Sequence, residues 1–320
     1  MHPSAPHQPA AGIVIVHYNC LSDTIRCLRS LEKLEPAPEA VIVVDNASPD
    51  GSGYELQRRF SCGCTRVILN PENRGFAAAN NLGMHYLRSL GCRLFWLLNP
   101  DTEVLPDSLR GLVAAADTCP GAGAFGSKIL FGEPKNPAVI WGAGGEIDFT
   151  NCTVRMYGEN EADNGQCDTG RACDYLPGCS LMVRSSVIDQ AGPMPEEYFM
   201  YFEETEWCVR IRSAGFCLRY VPESVVLHHF DARKSKTPFT VYYYNRNGLY
   251  FWSKRASASR KVRICLRTLC QSLPRNCRAL WYAPNPELRA VFLAHVRSNV
   301  DFLRGSMGRQ VSRALSSSPE

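Results

Sequence analysis

The chain has 320 residues, 45% of them hydrophobic and 21% charged, which is the balance of a globular chain with a real core. Nowhere do about eighteen apolar residues run together, so the sequence offers no membrane-spanning helix. The net charge of +4 hides an asymmetry: residues 254–313 hold thirteen Lys and Arg against Glu287 and Asp301, a local balance of +11, leaving about −6 for the residues before them.

In chain order, Met1–Ala11 holds Pro3, Pro6, Pro9 and two histidines and reads as a disordered leader, not a signal peptide. Gly12–Val16 is a continuous β-branched run, the pattern of a strand buried on both faces. Leu21–Leu34 follows with helical spacing at Ile25, Leu28 and Leu31. A second buried strand, Ala40–Val44, ends at Asp45. A helix around Tyr54–Phe60, a strand Thr65–Leu69, a helix Gly75–Leu90 and a strand Leu94–Leu98 complete the series. Strands alternating with helices predict βαβ units and a mostly parallel sheet, with ligands beyond the carboxyl ends of the strands. Polar residues stand at those ends: His17-Tyr18-Asn19, Asp45-Asn46 and Asn99-Pro100-Asp101.

From Gly126 to Asp174 the pattern loosens into short strands and turns, and it returns at Tyr175–Arg184. A helix over Glu204–Ala214 stops at Gly215, followed by strands Phe216–Val221 and Ser224–Leu227. Beyond Thr240 the chain reads as helical. The fifteen cysteines include no Cys-x-x-Cys pair, which leaves a zinc site unsupported and predicts reduced thiols acting as small hydrophobes.

Seven motifs occur in order: His17-Tyr18-Asn19, Val44-Asp45-Asn46-Ala47-Ser48, Asn73-Arg74-Gly75-Phe76-Ala77, Leu98-Asn99-Pro100-Asp101-Thr102, Gly178-Cys179-Ser180, Phe199-Met200-Tyr201-Phe202-Glu203-Glu204 and His228-His229. Together they resemble the family 2 inverting glycosyltransferases, in their rhamnosyltransferase-like branch, over residues 12–247. The resemblance implies a GT-A-type nucleotide-sugar-binding α/β fold with a C-terminal helical tail. It divides the chain into the leader 1–11, a nucleotide-sugar-binding half 12–125, an acceptor-binding and catalytic half 126–250, and a basic helical tail 251–320.

By the same resemblance Tyr18, Asn19, Asp45, Asn46, Ser48, Arg74, Gly75, Asn80 and Asn99 bind the donor, with Asp45 toward the nucleobase. Gly75 opens a helix, and a helix N-terminus favours an anion such as a diphosphate. Asp101 is the last carboxylate of the family's metal motif, whose first position is here Asn99. His228 matches a histidine that completes the metal shell, and Mg²⁺ or Mn²⁺ is the implied ion. Hard divalent cations use few protein carboxylates and take phosphate oxygens for the rest. An acceptor hydroxyl attacking an anomeric carbon must lose its proton, which calls for a carboxylate base. The family usually has Glu-Asp at this motif with the aspartate as base, so Glu204 takes that role here, with Glu203 or Glu206 as substitutes. His229 should point away from His228 by strand alternation. Tyr198, Tyr201, Trp207 and Trp141 offer faces for a sugar ring, or plain core.

The expected function is transfer of a sugar, by resemblance rhamnose from dTDP-rhamnose, to a saccharide or lipid-linked acceptor of a surface polysaccharide. A UDP-hexose donor and a catalytically inactive nucleotide-sugar binder are the rivals. A nicotinamide dehydrogenase is disfavoured because His17-Tyr18-Asn19-Cys20 stands where a glycine-rich turn would be. The basic tail, mixed with leucines, suits an anionic membrane surface or a packed helical subdomain, and no nucleic-acid motif accompanies it. The expected place is the cytoplasm, with the tail peripheral on the inner face of the cell membrane.

Overall fold

A computed structural model describes residues 11–132, 138–229 and 236–310. The leader expected over 1–11 lies outside the described residues except for Ala11, as do residues 311–320 of the tail. Two compact units divide the chain: one takes the described residues up to 147, with 154–194 and 207–229, and the other takes 148–153, 195–206 and 236–310.

The first unit alternates as the sequence predicts: β1 (Ala11–His17), α1 (Leu21–Leu31), β2 (Ala40–Asp45), α2 (Ser52–Phe60), β3 (Thr65–Leu69), α3 (Phe76–Ser89) and β4 (Leu94–Leu98). Then come β5 (Thr102–Val104), α4 (Ser108–Thr118), β6 (Ala122–Phe131), β7 (Ile140–Gly142), β8 (Gly145–Asp148), β9 (Thr153–Met156), β10 (Arg171–Cys173), β11 (Ser180–Arg184) and α5 (Ser185–Ala191). Helix α6 (Glu203–Ser213) starts in the second unit, and β12 (Cys217–His228) closes the first. The main sheet has the order β10-β12-β6-β11-β4-β1-β2-β3, with β5 on β12 and β7 on β6. It is parallel from β3 to β4 and turns mixed beyond, because β11 lies antiparallel between β4 and β6.

Side-chain alternation sends Ile13, Ile15, Val41 and Val43 to one face, under Leu28 of α1 and Leu112 of α4. Val14, Val16, Ile42 and Val44 go to the other, with Leu87 of α3 and Trp207 of α6. Both faces are covered, which is why these strands read as unbroken apolar runs. Helix α3 approaches β1 closely because glycine stands at both contacts. A Cβ on Gly12 would lie 2.3 Å from Leu87, and one on Gly83 would lie 2.4 Å from Val14. The two strands expected at 216–221 and 224–227 are one, β12, which shifts register on β6 between Val221 and Val225; Pro222 sits in that irregularity, where a strand tolerates it.

The second unit carries α7 (Pro238–Arg255), α8 (Ala258–Arg267), α9 (Leu273–Trp281) and α10 (Pro286–Arg304). Thr237 caps α7 by accepting from Thr240 N at 3.2 Å, and Asn285 caps α10 by accepting from Leu288 N at 2.9 Å. A π-helical turn, Thr268–Ser272, joins α8 to α9 just before Pro274, which has no N–H to continue the regular ladder. The core is aromatic: Phe199, Tyr242, Tyr243 and Ala294, with Phe239 packed beside them. Tyr242 donates to Asp301 Oδ2 at 2.6 Å, and Asn245 donates to Ser298 and Asn299, tying α7 to α10. The boundary expected at 250/251 therefore falls inside α7. Among the described residues no helix is long and apolar enough to cross a membrane.

Candidate active site

Strands β1, β2 and β4 run parallel and end together, so the loops after them gather at one edge of the sheet. Asp45 is buried at the tip of β2. Its carboxylate accepts from the Ser48 amide at 3.3 Å and from Ser48 Oγ at 2.5 Å. Asn19, at φ 55°, donates its backbone N–H to Ser48 Oγ at 3.1 Å, which fixes the turn that leaves the neighbouring Tyr18 exposed. A Cβ on Gly53 would stand 2.3 Å from the Asp45 carboxylate, so glycine there makes room for it. His17 is fully buried between Thr24 Oγ1 and Ser52 Oγ, each 2.8 Å from a ring nitrogen. Burial pushes its pKa below the usual range against the pull of Asp45 and Asp50, which keeps the ring neutral.

Asn46, expected among the donor contacts, is turned inward and 3% exposed. Its amide donates to Asn73 Oδ1 at 2.9 Å and to Gly75 O at 3.2 Å, and accepts from Asn70 and from the Arg74 amide. It holds the loop that presents Arg74, which is exposed. Gly75 takes φ 87° before the first turn of α3, a conformation that favours glycine. Asn80 is 1% exposed and donates to Phe76 O inside its own helix, so it too faces inward.

The pairing of β5 with β12 sets Thr102 opposite His228 and brings Asp101 with it. Asp101 Oδ1 stands 3.4 Å from His228 Nε2, and the buried imidazole lies edge-on to Trp141, centroids 4.7 Å apart. His229 serves another group, with Nε2 2.7 Å from Glu103 Oε1. The Asn99 side-chain oxygen, two residues before Asp101, is buried without a hydrogen-bond partner among the described residues. Two ligands at right angles on one divalent ion, each about 2.1 Å away, stand about 3 Å apart. Asp101 and His228 fit that spacing within a few tenths of an ångström. Among the described residues no group of three His, Cys, Asp or Glu could hold a metal, so any ion here would take its other ligands from elsewhere.

In the second unit, Phe199, Tyr201 and Phe202 precede α6 with φ of 68°, 69° and 72°. Each is a bulky residue in the left-handed region, which costs on the order of 1–3 kcal/mol and persists only where surroundings enforce it. Asn247 is the enforcer. Its amide donates to the carbonyls of Tyr198, Met200 and Tyr201 at 2.7–2.9 Å. Its oxygen accepts from Arg246 Nε at 3.0 Å, and since Arg can only donate, the orientation of the amide follows. Arg246, itself fully buried against the rings of Tyr242 and Tyr243, donates to Tyr198 O as well.

That twisted segment delivers Glu203 and Glu204 to different surroundings. Glu203 is 3% exposed with Oε2 unpartnered among the described residues, and burial, then the charge of Glu204, pushes its pKa well above the carboxylate range. Glu204 is half-buried and accepts from Thr205 Oγ1 at 3.1 Å. Glu206, the other substitute considered from sequence, is buried and bound by Arg255 at 2.7 Å and Lys254 at 3.1 Å. Tyr198 and Trp207, considered as sugar platforms, are fully buried core residues, whereas Tyr201 and Trp141 are only half-buried. Sequence reasoning missed Asn247. The available signal was the polar pair Arg246-Asn247 set in an aromatic helix between Tyr242-Tyr243-Tyr244 and Tyr250-Phe251.

The sequence signature described as Glycosyl transferase family 2 matches residues 12–188. The chain is 29% identical over 238 residues to the N-acetylglucosaminyl-diphospho-decaprenol L-rhamnosyltransferase of Mycobacterium tuberculosis, covering 68% of this chain and 75% of that protein. It is 22% identical over 254 residues to the dTDP-rhamnosyl transferase RfbF of Shigella flexneri, covering 75% of this chain and 79% of that one. Among solved structures it resembles GalNAc-T7 with UDP, GalNAc and Mn²⁺, with a TM-score of 0.62 at 16% identity over 94% of this chain. The match spans 57% of the GalNAc-T7 chain, so the likeness is one of fold. With the signature on more than half of its length and a GT-A-type α/β sheet beneath its strand-end motifs, the chain belongs to glycosyl transferase family 2 and is a glycosyltransferase.

Proposed function

We propose that the chain transfers rhamnose from dTDP-rhamnose to a saccharide or lipid-linked acceptor, with inversion at the anomeric carbon, in the synthesis of a surface polysaccharide. The observation that carries this reading is the convergence of Asp101 and His228 beyond the sheet, a carboxylate and an imidazole spaced for one divalent ion. The rhamnosyl donor is supported by the names of the two relatives above. All fifteen cysteines are free, and such unpaired thiols support a reducing, cytoplasmic place of action.

In this reading residues 12–125 handle the donor and 126–250 the acceptor. The Asp45–Ser48–Asn19 turn, with Tyr18 beside it, meets the nucleoside. Arg74 and the N-terminus of α3 at Gly75 meet the diphosphate, and Asn46 and Asn80 hold that wall from behind. Asp101 and His228 would hold Mg²⁺ or Mn²⁺, with Asn99 beside them and diphosphate oxygens completing the shell. Bound there, the ion supplies positive charge against the departing nucleoside diphosphate. The acceptor hydroxyl oxygen forms the new bond to the anomeric carbon as the bond to the diphosphate oxygen breaks. Glu204 takes the hydroxyl proton, since it is the member of the carboxylate pair that reaches solvent. Burial disfavours the charged form of Glu203, and Glu206 is engaged by two cations.

The donor is tested by thermal unfolding with nucleotide sugars and Mn²⁺, because a ligand of the native state raises its melting temperature. dTDP-rhamnose is expected to give the largest shift and to be consumed when acceptor is added. A larger shift and faster consumption with a UDP-hexose would overturn the donor assignment.

Asn247 makes a further expectation. Asn247→Leu keeps the branched shape of the side chain but removes the amide's donors to the carbonyls of Tyr198, Met200 and Tyr201, which loosens the segment ahead of Glu204 although Arg246 still donates to Tyr198 O. Turnover should fall by about 10–100-fold through misplacement of the base, with donor KM little changed. A folded variant with wild-type kcat would remove Asn247 from the mechanism.

A further inference from the structure

We infer that α8 and α9 form a docking surface for a membrane that carries anionic lipid. This goes beyond the transfer reaction and does not rest on it. The excess charge of the C-terminal region is not spread evenly over its helices. Lys254 and Arg255, at the end of α7, are bound by Glu206, and α10 is packed on α7. The stretch Ala256–Pro286 is different: it holds six Lys and Arg and no Asp or Glu. None of the six forms an ion pair with a carboxylate among the described residues.

Helix α8 buries none of its residues. Val262, Leu266 and Leu269 recur at i, i+4 and i+7, on one stripe, and are 56%, 54% and 51% exposed. Lys261 and Arg263 flank Val262, each about 100° around the helix from it. Trp281 and Tyr282, at the end of α9, are 80% and 73% exposed. An apolar stripe between rows of cations, closed by exposed aromatics, matches a bilayer interface in both of its parts. The stripe enters the acyl boundary, and the cations stay among anionic headgroups. A purely acidic protein partner would satisfy the charges and leave the leucines wet.

The test uses the full-length chain and sedimentation with phosphatidylcholine vesicles, with and without phosphatidylserine. Binding is expected only with phosphatidylserine and should weaken as salt rises. Each basic side chain near such a surface contributes on the order of fivefold in affinity. Arg263→Glu with Arg267→Glu should therefore weaken binding by at least about 25-fold. Leu266→Ser with Leu269→Ser should weaken it through the stripe alone. All four side chains are exposed, so both variants are expected to keep the wild-type melting temperature. Wild-type protein that ignores phosphatidylserine, or either double variant binding like wild type, overturns the proposal. So does a concentration-dependent dimer that the leucine variant abolishes, which would make a second copy the occupant. Vesicle binding is read without donor or acceptor, so its failure and a failure of the transferase reading are distinguishable.

Discussion

Asp101→Ala is expected to lower both donor affinity and turnover, the latter by about 10²–10³-fold. A cation at a departing phosphoryl oxygen supplies several kcal/mol of charge stabilisation, and each 1.36 kcal/mol is tenfold in rate. Asp101 Oδ1 stands 3.4 Å from His228 Nε2, so its loss leaves the imidazole as the remaining ligand of the pair. Chelation with EDTA should abolish transfer by the wild-type protein, and Mn²⁺ or Mg²⁺ should restore it. His228→Ala should show the same loss in part and shift the preference between the two ions, because imidazole favours Mn²⁺ over Mg²⁺. Full activity after rigorous chelation, or unchanged donor affinity in Asp101→Ala, would detach the metal from this pair.

Where both faces of the sheet are covered, the sequence was easy to read. Ile13–Val16 and Ala40–Val44 are unbroken apolar runs because helices lie on both sides, and the polar residues after them stand at the edge where the candidate site was built. Strand β6 was harder. Its glycines at 123 and 126 admit Phe216 and Leu176 at less than a Cβ's distance, and they break the apolar run that would have announced a ten-residue strand. The antiparallel insertion of β11 carries no local signal at all, since strand order depends on partners distant in sequence. In the site, residue types were legible and orientations were not. Asn46 and Asn80 were expected at the donor yet turn inward, Asn46 to the Asn73 side chain and Gly75 O and Asn80 to Phe76 O. The opposite environments of Glu203 and Glu204 depend on three left-handed residues held by Asn247, more than forty residues away in sequence.

Glu204→Gln isolates the proton transfer on which the account turns. Glutamine keeps the size of the side chain and most of its hydrogen bonds, but it cannot accept a proton. A general base contributes about 10²–10⁴-fold, so turnover should fall by that factor while donor affinity barely moves. Glu204→Asp should retain substantial activity, since the carboxylate survives one methylene shorter. Burial pushes the Glu203 carboxyl toward its neutral form, which glutamine mimics, so Glu203→Gln should stay within a few-fold of wild type. Its stability should differ most at high pH. A carboxyl whose folded pKa is raised loses stability as pH climbs from its unfolded value of 4.5 toward the folded one, and the amide cannot.

The deciding measurement is kcat for Glu204→Gln and Glu203→Gln side by side, with saturating donor, Mn²⁺ and acceptor. The account expects Glu204→Gln to be slowed by at least about a hundredfold and Glu203→Gln to turn over nearly as wild type. A dead Glu203→Gln beside an active Glu204→Gln, or two active variants, would contradict it.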